Sequence, residues 1–290
     1  MSELKKVIAV ANDFSSESKC AIAHAAIFAK KDGSELLLIH VLDGKSNEKL
    51  QEEGLTDARI KDVLAAECDR IEKEYGLSSR YATPEGSIFK DIGETVKNEK
   101  AKLLIMGTHG IQSLGERLLG SWALRIVDSS PVPTLIVQNK MPLGDSYKRV
   151  VMEVDATPEC KILLKSAIMM HKTYGSEVIL FASSEDDTFG ENQIALNMQF
   201  CIATLTQAGV TYSTAEQKPG NNYYRDLVRY GSETYADLIL IIANNNKDFA
   251  DYLTEPEQKV IYNSAQIPVL CVTPVHNYIE DNFSFSGLNF

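Results

Sequence analysis

Residues 106–122 read MGTHGIQSLGERLLGSW and follow directly on the apolar run Leu103-Leu104-Ile105-Met106. Gly107 and Gly110 have two residues between them, and nine more separate Gly110 from the pair Gly120-Ser121. Glycine admits φ > 0 and lets a ligand approach the main chain without meeting a Cβ. Several glycines just past a buried strand therefore point to bare N–H groups aimed at an anion, with the positive end of a following helix behind them.

Read outward, this strand, glycine loop and helix form part of a pattern written twice. VIAVAND (7–13) and VVMEVD (150–155) each end an apolar run on an aspartate, and DGSELLLIHV (32–41) is echoed by YGSEVILFAS (174–183). KDIGETVKNEKAKLLIM (90–106) is matched by RDLVRYGSETYADLILI (225–241), and PVPTLIV (131–137) by QIPVLCV (266–272). Each half reads strand, helix, strand, helix, strand, helix, strand, loop, helix, strand. The strands are nearly continuous apolar runs, as in a parallel sheet covered on both faces.

The spacing predicts an α/β fold of two tandem open sheets, each with five mainly parallel strands, binding ligands beyond the carboxyl ends of the strands. Ser15 and Thr157 are expected helix N-caps, with Pro158 in the first helical position and Gly33 and Gly175 as helix stops. The polar stretch QNKMPLGDSYK (138–148) reads as a linker, which divides the chain into domains at 1–140 and 148–275 and an aromatic tail at 276–290. The strands introduced by Pro133 and Pro268 suit sheet edges. Their pairing around a pseudo-twofold axis would make the chain an internal dimer.

Composition narrows the function. The chain has 290 residues and a formal net charge of −11, without the basic footprint of a nucleic-acid or acidic-membrane binder. Its five cysteines, Cys20, Cys68, Cys160, Cys201 and Cys271, form no C-x-x-C pair, so neither a zinc site nor a disulfide framework is expected. With no signal-peptide pattern and no apolar run long enough to span a bilayer, a soluble cytoplasmic protein is expected.

Gly107-x2-Gly110-x9-Gly120-Ser121, Asp13 at the end of the first strand and the closing strand PVPTLIV together resemble the ATP-binding class of the universal stress protein family, over a tandem pair of domains. The resemblance implies a Rossmann-like fold of the adenine nucleotide alpha hydrolase kind. It implies that Asp13 approaches the ribose and phosphates and that the main chain of Val41 pairs with the adenine edge. The loop from Gly107 to Gly110 and the helix start at Gly120 and Ser121 would cradle the phosphates, with Ala11, Asn12, Met106, His109 and Trp122 lining the same crevice. ATP is the implied ligand, with Mg2+ or Mn2+ as its companion ion.

Two features depart from the family pattern. Ile111 and Gln112 follow the second glycine where many members carry a basic residue, and no Walker A lysine is present. In the second half, Ile242, Asn245, Glu255 and Pro256 stand where Gly107, Gly110, Gly120 and Ser121 stand in the first, and Ser183 replaces Val41. One nucleotide per chain, in the first half, is therefore expected.

Each residue also has a plainer reading. Asp13 and Ser121 can be helix caps, His109 a turn residue and Trp122 a packing residue. His24, His40 and His171 lie on apolar patterns and read as structural. Residues 49–75 read as an amphipathic surface helix with Leu50, Leu55, Ile60, Val63, Leu64, Cys68 and Ile71 on its apolar face. The tail, with Tyr278, Phe283, Phe285 and Phe290, is expected to dock on its own domain or a neighbouring chain. Functionally, a nucleotide-responsive stress or signalling module leads. A slow metal-dependent ATPase or phosphotransferase and a protein-interaction module without nucleotide are the alternatives, and a further homodimer is open.

Overall fold

The computed structural model describes residues 5–43, 56–108, 119–218, 220–243 and 256–274, with the main chain alone at 119–122 and 256. The first half runs β1 (Val7–Ala11), α1 (Ser16–Asp32), β2 (Glu35–Ile39), α2 (Asp57–Tyr75), β3 (Ser79–Ala82), α3 (Ile88–Asn98), β4 (Ala101–Gly107), α4 (Leu119–Ser129) and β5 (Thr134–Val137). The second runs β6 (Arg149–Val154), a 3-10 turn (Pro158–Ile162), α5 (Leu163–Tyr174), β7 (Glu177–Ala182) and α6 (Thr188–Gln207). It closes with β8 (Tyr212–Glu216), α7 (Tyr223–Glu233), β9 (Leu238–Ile242), α8 (Pro256–Ile261) and β10 (Val269–Val272).

Among the described residues the strands form one ten-stranded sheet in the order β3-β2-β1-β4-β5-β10-β9-β6-β7-β8. Every neighbour pair is parallel except β5 and β10, which are antiparallel with Leu270 opposite Leu135. The two proline-introduced strands thus pair with each other at the seam, as the edge argument expects. Successive side chains on a strand face opposite ways. Ile8, Val10, Leu36 and Leu38 meet α1 and α2 on one face, whereas Val7, Ala9, Leu37 and Ile39 meet α3 and α4 on the other. Both cores continue across the seam, through Leu270 and Val272 on the first face and Val269 and Cys271 on the second.

The helix signals hold with two differences. The Ser15 hydroxyl accepts from the Ser18 N–H at 3.1 Å, and Gly33 and Gly175 end their helices at φ 70°. Thr157 instead precedes a 3-10 turn, and its hydroxyl donates to Asp155 at 2.7 Å rather than capping, although Pro158 does open that turn. The charge-rich helix covers Asp57–Tyr75, with Ile60, Leu64 and Ile71 buried, Cys68 half-buried and Val63 exposed. Leu50 and Leu55 lie outside the described residues.

The segment between β5 and β6 is more than a linker. Tyr147 is buried against Phe28 of α1 and Tyr174 of α5, at ring separations of 5.2 and 5.6 Å. Its hydroxyl donates to His24 Nδ1 at 2.6 Å, and His24 Nε2 donates to the Lys140 carbonyl at 3.1 Å. A carbonyl only accepts, so the proton of neutral His24 sits on Nε2. Burial brings the His24 pKa down from 6.5 to about 4. On acidification the unfolded chain takes up a proton that the native ring refuses until about pH 4, so this stability is present above pH 6.5 and lost between the two values. At about 1.4 kcal/mol per unit, the loss is about 3 kcal/mol. Urea midpoints are expected to fall between pH 7 and pH 4, and His24→Gln should flatten that slope; equal slopes in the two proteins would refute the assignment.

Candidate functional site

β1 lies between β2 and β4, and the chain moves from β1 outward to β2 and β3 before returning to β4 on the other side. Such a reversal leaves a crevice at the carboxyl ends of the strands. Ala11, Asn12 and Asp13 at the end of β1, Val41 just past β2, and Met106 and Gly107 at the end of β4 all border this crevice. Gly120, Ser121 and Trp122 fall in the first turn of α4, where the main chain alone is described. His109 and Gly110 lie outside the described residues.

The end of β1 is held by a dense local network. Asn12 N–H donates to the Ile39 carbonyl at 2.8 Å, its side-chain oxygen accepts from Phe14 N–H at 2.8 Å, and its carbonyl accepts from His40 Nδ1 at 2.8 Å. These bonds hold Phe14 at φ 67°, in the left-handed region, with its ring 4.7 Å from that of His40. Burial pulls the His40 pKa down, and the bond from its Nδ1 to the Asn12 carbonyl gives the ring a structural role. His171, bonded to the Ser176 carbonyl at 2.8 Å, is also structural.

Asp13 has two sides. Its Oδ1 accepts from Ser15 N–H at 3.1 Å, from Ser15 Oγ at 2.6 Å and from Ser18 Oγ. This oxygen organises the start of α1, and Asp155 does the same in the second half, accepting from Thr157 N–H at 3.0 Å and from its hydroxyl. Asp13 therefore does not cap α1, whose N-cap is Ser15, but braces that cap through Oδ1. The second Asp13 oxygen has no hydrogen bond among the described residues.

Val41 contributes through its main chain. His40 and Leu42 donate to the carbonyls of Ala82 and Pro84 at 3.0 and 2.8 Å, on the β3 side. The two-residue alternation of a strand turns the amide groups of Val41 the other way, over the end of β1. They have no main-chain partner among the described residues. A donor and an acceptor side by side suit the edge of a planar heterocycle.

Gly107 serves packing first. A Cβ on it would lie 2.5 Å from Glu17 Cβ and 2.9 Å from the Glu17 carbonyl carbon, so only glycine lets α1 come this close to β4. Buried Glu17 in turn accepts from Asn139 at 2.7 Å. The next residue, Thr108, donates its N–H to the Val137 carbonyl at 3.0 Å and accepts from the Tyr262 hydroxyl at 3.1 Å. Gln138 donates to the Ile261 and Asn263 carbonyls at 3.2 and 2.9 Å. The start of the glycine loop is therefore fastened to the turn after α8, in the other half of the chain. No signal near residue 107 could have revealed Tyr262 or Gln138 as neighbours of the site, because those contacts exist only once β5 and β10 pair.

The equivalent crevice of the second half is built differently. Glu153, two residues before Asp155 as Ala11 is before Asp13, is buried at the end of β6, and its Oε1 accepts from Ile242 N–H. Ile242 stands where Gly107 stands, so in this half a carboxyl group occupies the main-chain N–H at that strand end. Burial, reinforced by Asp155 and Glu257, pushes the Glu153 pKa well up, and burial raises that of Asp155 as well. Among the described residues no three His, Cys, Asp or Glu are grouped to hold a metal ion, and no helix is long and apolar enough to cross a membrane.

Comparison with known proteins agrees with this architecture. The model of the universal stress protein family matches residues 5–138. A universal stress protein of Methanocaldococcus jannaschii is 31% identical over 142 residues, which are 47% of this chain and 83% of that protein. A solved universal stress protein of Archaeoglobus fulgidus superposes with a TM-score of 0.73 at 18% identity, covering 92% of this chain and 98% of that one. Another, solved in complex with cAMP, is 24% identical with a TM-score of 0.38, and covers 48% of this chain and all of that chain (100%). The length, about twice that of a single such domain, fits a tandem form, and the chain belongs to the universal stress protein family.

Proposed function

We propose that this chain binds ATP in its first half and acts in the cytoplasm as a nucleotide-responsive stress module, its domains being 1–140 and 148–275. The observation that carries this reading is the contrast between two equivalent crevices. The first offers the outward amide groups of Val41 and an unbonded carboxylate oxygen of Asp13, whereas the second turns the Glu153 carboxyl onto its own main chain. In the first crevice, Val41 reads the adenine edge and Asp13 accepts from a ribose hydroxyl. The glycine loop and the first turn of α4 supply N–H groups to the phosphates. Mg2+ or Mn2+, on this reading, enters with the triphosphate.

Response to nucleotide follows from the bond between Thr108 and Tyr262, at 3.1 Å. Ordering the glycine loop around phosphate bears on Thr108, and through it on the turn after α8. The test is calorimetric titration of the full chain with Mg-ATP. One site per chain is expected. Gly120→Val should abolish binding by placing a branched side chain where an oxygen approaches, and Asp13→Ala should weaken it about tenfold, the loss of one good hydrogen bond. Asp155→Ala should leave it unchanged. Two equal sites, or full affinity in Gly120→Val, would overturn the reading.

A further inference from the structure

The two halves cover the same sheet with corresponding helices, but the helices between their second and third strands face outward differently. α2 carries ten charged residues in 19, and α6 carries only Glu191 in 20. On α6, Phe189, Leu196 and Phe200 are 73%, 56% and 50% exposed. Steps of seven and four residues return to nearly the same direction on a helix with about 3.6 residues per turn, so the three side chains make one stripe. An apolar stripe of this kind on a helix that is solvated in the other half marks a contact surface.

We propose that the stripe Phe189–Leu196–Phe200 is the docking site of this chain's own C-terminal segment, residues 275–290. Three observations single out this occupant. The segment exists in the second half alone, since β5 continues into β6 instead, and it carries Tyr278, Ile279, Phe283, Phe285 and Phe290. It starts at the right place: β10, β9, β6 and β7 are parallel neighbours, so the carboxyl end of β10 and the start of α6 share one edge of the sheet. Three strand spacings of about 4.8 Å separate β10 from β7, and 16 residues reach roughly 50 Å when extended. Charge also matches, because Glu280 and Asp281 meet a surface where the Lys161 ammonium lies 5.1 Å over the Phe200 ring. The contact would cover the stripe without a second molecule.

Photocrosslinking of the full chain tests this. Phe200→p-benzoylphenylalanine, and independently Phe189→p-benzoylphenylalanine, are irradiated in an equal mixture of unlabelled and 15N-labelled protein. The expected product joins the probe to a peptide within residues 275–290, with both parts unlabelled or both labelled. Truncation after Pro274 should remove that product and increase the fluorescence of a bound hydrophobic dye. Mixed-isotope products would make the occupant a second copy and overturn the proposal. So would crosslinks confined to other peptides, no crosslink from either position, or dye fluorescence unchanged by truncation.

Discussion

Gly107→Ala is expected to destabilise the protein by about 3 kcal/mol, the upper end of what overpacking usually costs. The added methyl would sit 2.5 Å from Glu17 Cβ and 2.9 Å from the Glu17 carbonyl carbon. Neither atom belongs to the free end of a flexible side chain, so α1 itself must move. That movement would strain the Glu17–Asn139 bond of 2.7 Å and the Asp13 network that starts the helix. At about 2–4 °C per kcal/mol, the melting temperature should fall by roughly 6–12 °C. Gly33→Ala is the control: its Cβ meets nothing within 4 Å, and its φ of 70° gives a smaller cost, about 1 kcal/mol. If Gly107→Ala melted with the wild type and lost only nucleotide affinity, this glycine would serve the ligand rather than the helix.

Tyr147→Ala is expected to cost about 3–5 kcal/mol, as large aromatic truncations in cores do. The ring sits between Phe28 and Tyr174, and its hydroxyl is the partner of His24 at 2.6 Å, so the variant leaves both a cavity and an unsatisfied imidazole. Tyr147→Phe keeps the ring and should lose only about 1–3 kcal/mol, the penalty of the orphaned nitrogen. Urea midpoints with unchanged slope would record both losses. A midpoint unmoved in Tyr147→Ala would mean that the segment between the halves adds nothing to the fold.

These residues also show where sequence reading succeeds and where it stops. The strands were legible because runs such as LLLIHV and LILII are buried on both faces, and the helix ends because Gly33 and Gly175 adopt the left-handed conformation the pattern requires. The seam was legible from proline and apolar edges. The glycine loop after β4 was legible from its spacing, whereas Asp13 and Val41 were grouped with it by the family resemblance. Tyr147 escaped because its neighbours in QNKMPLGDSYK are polar, and a single aromatic gives no period. Glu17 and Asn139, 122 positions apart, meet only after α1 is laid on the sheet. Glu153 is a lone carboxylate inside an apolar run, and its partner, the Ile242 N–H, appears only once β9 lies beside β6.

The antiparallel step between β5 and β10 has a consequence for how such a protein can change. It sends the carboxyl ends of β1–β5 and β6–β10 toward opposite rims, so the Asp13 crevice and its Glu153 counterpart open at far poles of the molecule. Two identical subunits joined in this way would carry every substitution at both poles. One continuous polypeptide breaks that tie: Glu153 stands at one pole where Ala11 stands at the other, so either pole can change without its counterpart.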